Sequence, residues 1–212
     1  MPCDARAPLI RNNFKRILKG YQVFRARYAL GDRSIMHSLA RQGQRPEVMV
    51  VACCDSRVDP ALILQCDPGD LFVVRNVANI VPPYEKDEAH HGTSAALEFG
   101  ICCLKVSHLV ILGHSQCGGI QALLNNGSEP SNDFISHWVS LIQPPAGNLP
   151  STSDECAQLA LKQSQQHCMT FPWIADRVQQ QLLTIHLWYF DIQTGQIFAY
   201  AEDQQRYQPL DS

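Results

Sequence analysis

Apolar residues occur in four continuous runs along the chain, and each run has about the length of a β-strand. The runs predict strands over residues 48–52, 71–76, 107–113 and 183–191. Apolar runs without polar alternation are typical of parallel sheets that are buried on both faces. The Thr194-Gly195 turn leads to a fifth predicted strand, residues 196–200, which would pair antiparallel at an edge. The pattern predicts an α/β fold whose mostly parallel central sheet, four parallel strands plus an antiparallel edge strand, is flanked by helices.

The segments between these strands carry helical signals. A short helix is expected from Asp59-Pro60, because proline is tolerated in the first turn. Longer helices are expected over residues 91–104, 118–124, 153–169 and 172–181. A further helix is expected to begin at the cap residues 131–133 and to run to about residue 143, before a loop over residues 144–150.

A helical arm is predicted ahead of the first strand, from residue 10 to about residue 42, with a break at Gly31-Asp32 and a second short helix over residues 34–41. Five of its apolar residues share one helical face: Phe14, Ile17, Leu18, Tyr21 and Phe24. This face must lie against either the chain's own sheet or a partner subunit. No stretch resembles a linker, so we predict a single domain over residues 1–212, with the arm (1–42), the α/β core (43–203) and a loose polar tail (204–212).

The composition argues against nucleic-acid-binding, membrane-spanning and disulfide-rich proteins. The chain has 212 residues and a net charge of −3, without the basic stripe of a nucleic-acid-binding surface. Its apolar runs are too short to cross a membrane, and its first residues lack the apolar centre of a signal peptide. The nine cysteines are odd in number and include adjacent pairs, which suits free thiols better than a disulfide framework. We therefore predict a cytoplasmic protein that binds neither nucleic acid nor membrane.

Metal-binding side chains follow the first and third predicted strands. Cys53 ends the first strand, and His114 and Cys117 follow the third. In an open parallel sheet the carboxyl ends of neighbouring strands form the ligand site, so these three side chains converge if the two strands are close neighbours. Two thiolates and one imidazole suit zinc and leave a fourth position open. Asp55 and Arg57 lie just beyond Cys53 and are expected to form a hydrogen-bonded ion pair, from which a released Asp55 could swing onto the metal.

Two motifs, C-x-D-S-R at residues 53–57 and G-H-x-x-C-G-G at residues 113–119, resemble those of the β-class carbonic anhydrases. Residues 68–79 resemble the second-strand signature of that family, and residues 81–84 resemble its plant-type branch. The resemblance implies one Zn²⁺ per chain, bound by Cys53, His114 and Cys117. It also implies a catalytic dyad of Asp55 and Arg57 that orients the zinc-bound water.

By the same resemblance the reaction is reversible hydration of carbon dioxide to bicarbonate and a proton, by zinc-hydroxide attack. Substrate-binding positions are implied at Gln44, Phe72, Val77, Phe99 and Gly118. Phe99 replaces a tyrosine of plant relatives, which puts any hydroxyl role at that position in doubt. The family also implies a homodimer or a multiple of dimers. Two alternatives stay open, a CS₂ or COS hydrolase on the same scaffold and a non-catalytic zinc or thiol-redox protein.

Overall fold

The computed structural model describes residues 7–87, 89–125, 134–143, 150 and 152–210. The chain divides into two compact units, Met1–Gln44 and Arg45–Ser212. The first unit contains the helices α1 (Ala7–Tyr28) and α2 (Ile35–Gln42), so the predicted helical arm is present. Ser34 caps α2 by accepting a hydrogen bond from the amide of His37. The assignment of the whole chain to one domain stays a prediction.

The second unit is built on a six-stranded sheet, in the order β2-β1-β3-β4-β5-β6. Its strands are β1 (Val48–Cys53), β2 (Leu71–Asn76), β3 (His108–His114), β4 (Thr184–Phe190), β5 (Ile197–Ala201) and β6 (Arg206–Pro209). The first four strands are parallel, as predicted, and β5 and β6 pair antiparallel. Every residue of β1 after Val48 is buried, in agreement with its unbroken apolar sequence.

The sixth strand corrects the prediction of a loose tail after residue 204 and of only one antiparallel edge strand. β6 pairs along β5, with Tyr207 opposite Tyr200 and their ring centroids 5.2 Å apart. The segment carries few apolar residues, so its sequence has no strand signal of its own. It is ordered because the free edge of β5 supplies hydrogen-bond partners and Tyr207 packs against neighbouring rings.

Helices cover the sheet in the second unit. They are α3 (Pro60–Ile63), α4 (Gly92–Glu98), α5 (Gly118–Leu124), α6 (Ile135–Val139), α7 (Ser153–Cys168) and α8 (Pro172–Gln179). None of the helices in the described part of the chain is both long and apolar enough to span a membrane. Helix α6 ends before the predicted residue 143, and its predicted cap at 131–133 lies outside the described residues, as does most of the predicted loop over residues 144–150.

The helix predicted over residues 91–104 is not a single regular helix. After α4 the chain widens into a π-helix, Phe99–Cys103. Gly100 in this turn packs directly against the sheet, since an added Cβ atom would lie 2.5 Å from Met49 Sδ and 3.2 Å from Phe72 Cδ1. Such π-turns are often found beside functional sites.

The strand order determines which loops meet. β1 lies between β2 and β3, so the chain leaves β1 on one side for β2 and returns on the other side as β3. Ala52 near the end of β1 is in register with Leu112 near the end of β3. This reversal of strand order is where open α/β sheets place their ligands.

Candidate metal centre

Three buried side chains meet beyond the carboxyl ends of β1 and β3. Cys53 is the last residue of β1, His114 is the last residue of β3, and Cys117 directly precedes the first residue of α5. Their ligand atoms all lie within 4.8 Å of one another. The convergence predicted from the sequence is therefore present, and among the described residues this is the only such group.

The geometry of the three ligand atoms fits a tetrahedral ion. The sulfur atoms of Cys53 and Cys117 are 3.8 Å apart. Two sulfurs bound at about 2.3 Å to a tetrahedral Zn²⁺ would be separated by about the same distance. His114 Nδ1 lies 2.8 Å from the carbonyl oxygen of Ser115, and its Nε2 is buried without a hydrogen-bond partner. That ring nitrogen is left to bind a metal, because the Nδ1 contact favours the tautomer with the proton on Nδ1.

The two neighbouring thiols shift each other's pKa in opposite directions. A hydrogen bond shared with Cys117 lowers the pKa of Cys53, although burial opposes this shift. The same hydrogen bond, together with burial, raises the pKa of Cys117. A metal ion bound between these two buried sulfurs would hold both as thiolates.

The predicted ion pair between Asp55 and Arg57 is present beside these ligands. Asp55 Oδ1 accepts hydrogen bonds from the backbone amide and from Nε of Arg57, each 2.9 Å long, and Oδ2 accepts from Nη2 at 2.7 Å. These bonds hold the pKa of Asp55 well below its usual value. Arg57 Nη2 also donates to the carbonyl oxygen of Gln116 at 3.1 Å, so the pair joins the loops after β1 and β3.

Arg75 is a site residue that the sequence analysis did not single out. Its Nε and Nη2 donate to the carbonyl oxygens of Cys53 (2.9 Å) and Asp55 (2.8 Å), and its Nη1 forms an ion pair with Asp59 at 2.8 Å. The Arg75 guanidinium therefore binds three residues of the segment that carries the metal ligand Cys53 and the Asp55 carboxylate. The available signal was a cation that directly follows the apolar residues 71–74 within the predicted strand.

The predicted substrate-binding residues fall in both units. Phe72 and Phe99 pack as a tilted ring pair with centroids 5.7 Å apart. Val77 is half-buried and packs against α5 at Gly119. Gly118, the first residue of α5, has no atom within 4 Å of the position that a Cβ would occupy. Gln44 is exposed and is the last residue of the N-terminal unit.

Comparison with known proteins places this site in a family. The family model for carbonic anhydrase matches residues 48–197, which include every metal-centre residue described above. Beta carbonic anhydrase 5 of Arabidopsis thaliana, a chloroplastic protein, is 39% identical over 158 residues, or 70% of this chain. Those residues are 52% of the relative, so the match spans about half of that protein's length.

Solved structures agree with the sequence match. The β-carbonic anhydrase CcaA superposes with a TM-score of 0.82 at 29% identity, covering 95% of this chain and 93% of that one. A tetrameric β-carbonic anhydrase of the filamentous ascomycete Sordaria macrospora superposes with a TM-score of 0.66 at 27% identity, covering 97% and 96%. By its sequence, its sheet and its Cys/His/Cys centre, this chain belongs to the β-class carbonic anhydrases.

Proposed function

We propose that this protein catalyses the reversible hydration of carbon dioxide to bicarbonate and a proton, with one Zn²⁺ per chain bound by Cys53, His114 and Cys117. The observation that carries the proposal is the buried Cys/His/Cys group with the Asp55–Arg57 pair beside it. The activity named for the relatives supports it as well. When bound, zinc would supply Lewis acidity and lower the pKa of a water molecule to make it a nucleophile.

Asp55 would select and orient that nucleophile. Arg57 occupies one side of the carboxylate with three hydrogen bonds, two on Oδ1 and one on Oδ2, so Oδ2 keeps an acceptor site. An ionised carboxylate accepts hydrogen bonds and does not donate them. Asp55 would therefore favour a ligand that carries an O–H group and would direct its lone pair away from the carboxylate.

Carbon dioxide would bind against apolar side chains next to the metal centre. We assign Phe72, Val77 and Phe99 to the wall of a carbon dioxide pocket, because carbon dioxide has no net charge or dipole to pair. The Phe72–Phe99 ring contact supports this assignment. The backbone amide of Gly118 would donate a hydrogen bond to a bicarbonate oxygen, and Gln44, in the first unit, stays a predicted substrate-binding residue.

A second copy of the chain is the proposed partner of the arm. Phe14, Ile17 and Tyr21 on α1 are 67%, 63% and 63% exposed, which is unusual for apolar residues spaced along one helix face. We propose a homodimer or a multiple of dimers, as the tetrameric Sordaria structures suggest. We also propose a cytoplasmic location, in keeping with eight free cysteines among the described residues.

Asp55→Asn tests the proposed role of the carboxylate. The substitution keeps the shape of the side chain and removes the charge, so the rate of carbon dioxide hydration should fall about 10²-fold or more while zinc content stays at one per chain. Stopped-flow pH-indicator assays give the rate, and elemental analysis gives the zinc content. Asp203→Asn, in the exposed turn between β5 and β6, is the control and should keep the full rate.

Three results would contradict the proposal. An unchanged rate in Asp55→Asn would remove the dyad from the mechanism. Faster hydrolysis of COS or CS₂ than hydration of carbon dioxide would favour the alternative hydrolase. Folded, zinc-loaded protein that is inactive on all three substrates would indicate a non-catalytic metal or thiol protein.

A further inference from the structure

Two histidines lie side by side near the start of the third and fourth strands, and the proposed reaction does not use them. His108 is the first residue of β3, and His186 is the third residue of β4. His108 is in register with Thr184, two residues before His186, so both imidazoles project from the same face of the sheet. His114 is at the other end of β3, which places the pair about 20 Å from the metal centre at about 3.3 Å per residue.

The two rings present nitrogen atoms to each other at close range. His108 Nδ1 and His186 Nε2 are 3.1 Å apart, and the ring centroids are 5.2 Å apart with the planes tilted by 45°. Nitrogen ligands bound at about 2.0–2.1 Å to one metal ion are separated by about 2.8–3.4 Å when the angle between them is about 90–110°. The observed separation lies within that range, so one ion can bind both nitrogens with little movement of the rings.

Both nitrogens can act as ligands at neutral pH. The contact between them is a hydrogen bond, in which one nitrogen donates and the other accepts. Each neutral ring can instead carry its proton on its other nitrogen, which leaves both facing nitrogens free to bind an ion. Burial, followed by the charge of His108, lowers the pKa of His186 and keeps that ring uncharged. His108 is exposed and His186 is half-buried, so an ion can enter from solvent and keep water as a further ligand.

The donor set selects the type of metal ion. Imidazole nitrogens suit Ni²⁺, Cu²⁺ and Zn²⁺, whereas Mg²⁺ and Ca²⁺ prefer carboxylate and carbonyl oxygens. Among the divalent first-row ions, affinity for such ligands rises towards Ni²⁺ and Cu²⁺. The two histidines lie on strands that pair along their whole length, so the backbone fixes the spacing of the ligands before an ion binds.

We propose that His108 and His186 form a second metal site, which binds a divalent transition-metal ion of the Ni²⁺ and Cu²⁺ class through His108 Nδ1 and His186 Nε2. The site supplies two protein ligands, one fewer than the group of Cys53, His114 and Cys117, so we expect weaker and exchangeable binding. The bound ion would bridge the amino-terminal ends of β3 and β4. The inference goes beyond the proposed catalysis, because binding here can be measured on inactive protein.

Calorimetric titration of the tag-free, zinc-loaded, full-length protein with NiCl₂ at neutral pH tests the proposal. Ni²⁺ is the better probe because, unlike Cu²⁺, it does not oxidise free thiols. We expect a saturable Ni²⁺ site whose affinity falls by about tenfold or more in His108→Gln and in His186→Gln. His137→Gln, at an exposed histidine on α6, is the matched control and should bind like the unmodified protein. Mg²⁺ should give no binding heat, and thermal unfolding of each variant verifies that it is folded.

Trp188 reports where the ion binds. Its ring centroid is 6.2 Å from that of His186, so a paramagnetic Ni²⁺ ion held by the two histidines should quench its fluorescence. Trp188→Phe should keep the calorimetric affinity and lose most of this quenching. Absence of saturable binding to the unmodified protein, equal affinity in both histidine variants, or unchanged quenching in Trp188→Phe would each overturn the proposal.

Discussion

Arg75→Met is the substitution that best tests how the metal centre is held in shape. Methionine keeps much of the apolar stem of arginine and removes all of its donors. The carbonyl oxygens of Cys53 and Asp55 then lose their hydrogen bonds from Arg75, and Asp59 loses its ion pair. We expect lower stability together with a distorted loop after β1, and hence weaker zinc binding and a lower rate.

The size of the effect follows from these contacts. A hydrogen bond from a charged donor contributes about 1.5–3 kcal/mol, so the two carbonyl contacts contribute about 3 kcal/mol at the low end. The ion pair with the partly exposed Asp59 adds about 0.5 kcal/mol or less. The Arg75 side chain is 27% exposed, so water can replace part of what is lost. We expect the free energy of unfolding to fall by about 2–3 kcal/mol, which lowers Tm by about 5–10 °C in a chain of this size.

Urea unfolding of the zinc-loaded protein, followed by circular dichroism, measures the change in stability. Arg57→Met is the matched control, because Arg57 is also an arginine bonded to this loop but its side chain is 45% exposed, against 27% for Arg75. It should lose activity with little change in the unfolding midpoint. A midpoint for Arg75→Met equal to that of the unmodified protein, with normal zinc affinity, would refute the assigned role of Arg75.

Two further predictions concern packing and pH. Gly119→Ala should lower the free energy of unfolding by about 1–3 kcal/mol, because the added Cβ would lie 2.6 Å from Val77 Cγ1. Gly118→Ala should have no such effect in the same thermal unfolding experiment, since nothing lies within 4 Å of its added Cβ. Burial lowers the pKa of His186 below its ordinary 6.5, so the unfolded chain binds more protons between that lowered pKa and about 6.5, and stability falls as the pH drops through this window. His186→Gln should flatten this part of the stability–pH curve measured by urea unfolding, whereas the exposed His90→Gln should not; equal slopes in all three proteins would contradict the assignment.

Much of the fold was predictable because it depends on local patterns. The unbroken apolar runs located the four parallel strands to within about a residue at most ends, and the 118–124 helix has the predicted bounds. The His114-x-x-Cys117 pair was also a local feature, since a short turn can direct both side chains to one point. The Asp55–Arg57 pair formed as expected because only one residue separates its members.

Other features depend on residues that are far apart in the chain. The segment that forms β6 was predicted to be a loose tail, because a short polar segment has no hydrophobic periodicity. It becomes a strand only by pairing with the free edge of β5. The π-turn at Phe99–Cys103 also escaped detection, because it reflects close packing of Gly100 against β1 and β2.

By itself the sequence determined the four parallel strands, the types of metal ligand and the resemblance to a family, because these depend on apolar runs, side-chain chemistry and short motifs. Only the tertiary structure decided that Arg75 holds the Cys53 loop and that β6 pairs with β5. Arg75 reaches that loop because β1 and β2 are adjacent and in register, and β6 pairs with β5 because β5 lies at the edge of the sheet formed by the other strands. Such contacts arise from the order of strands in the sheet, which spacing along the chain does not encode.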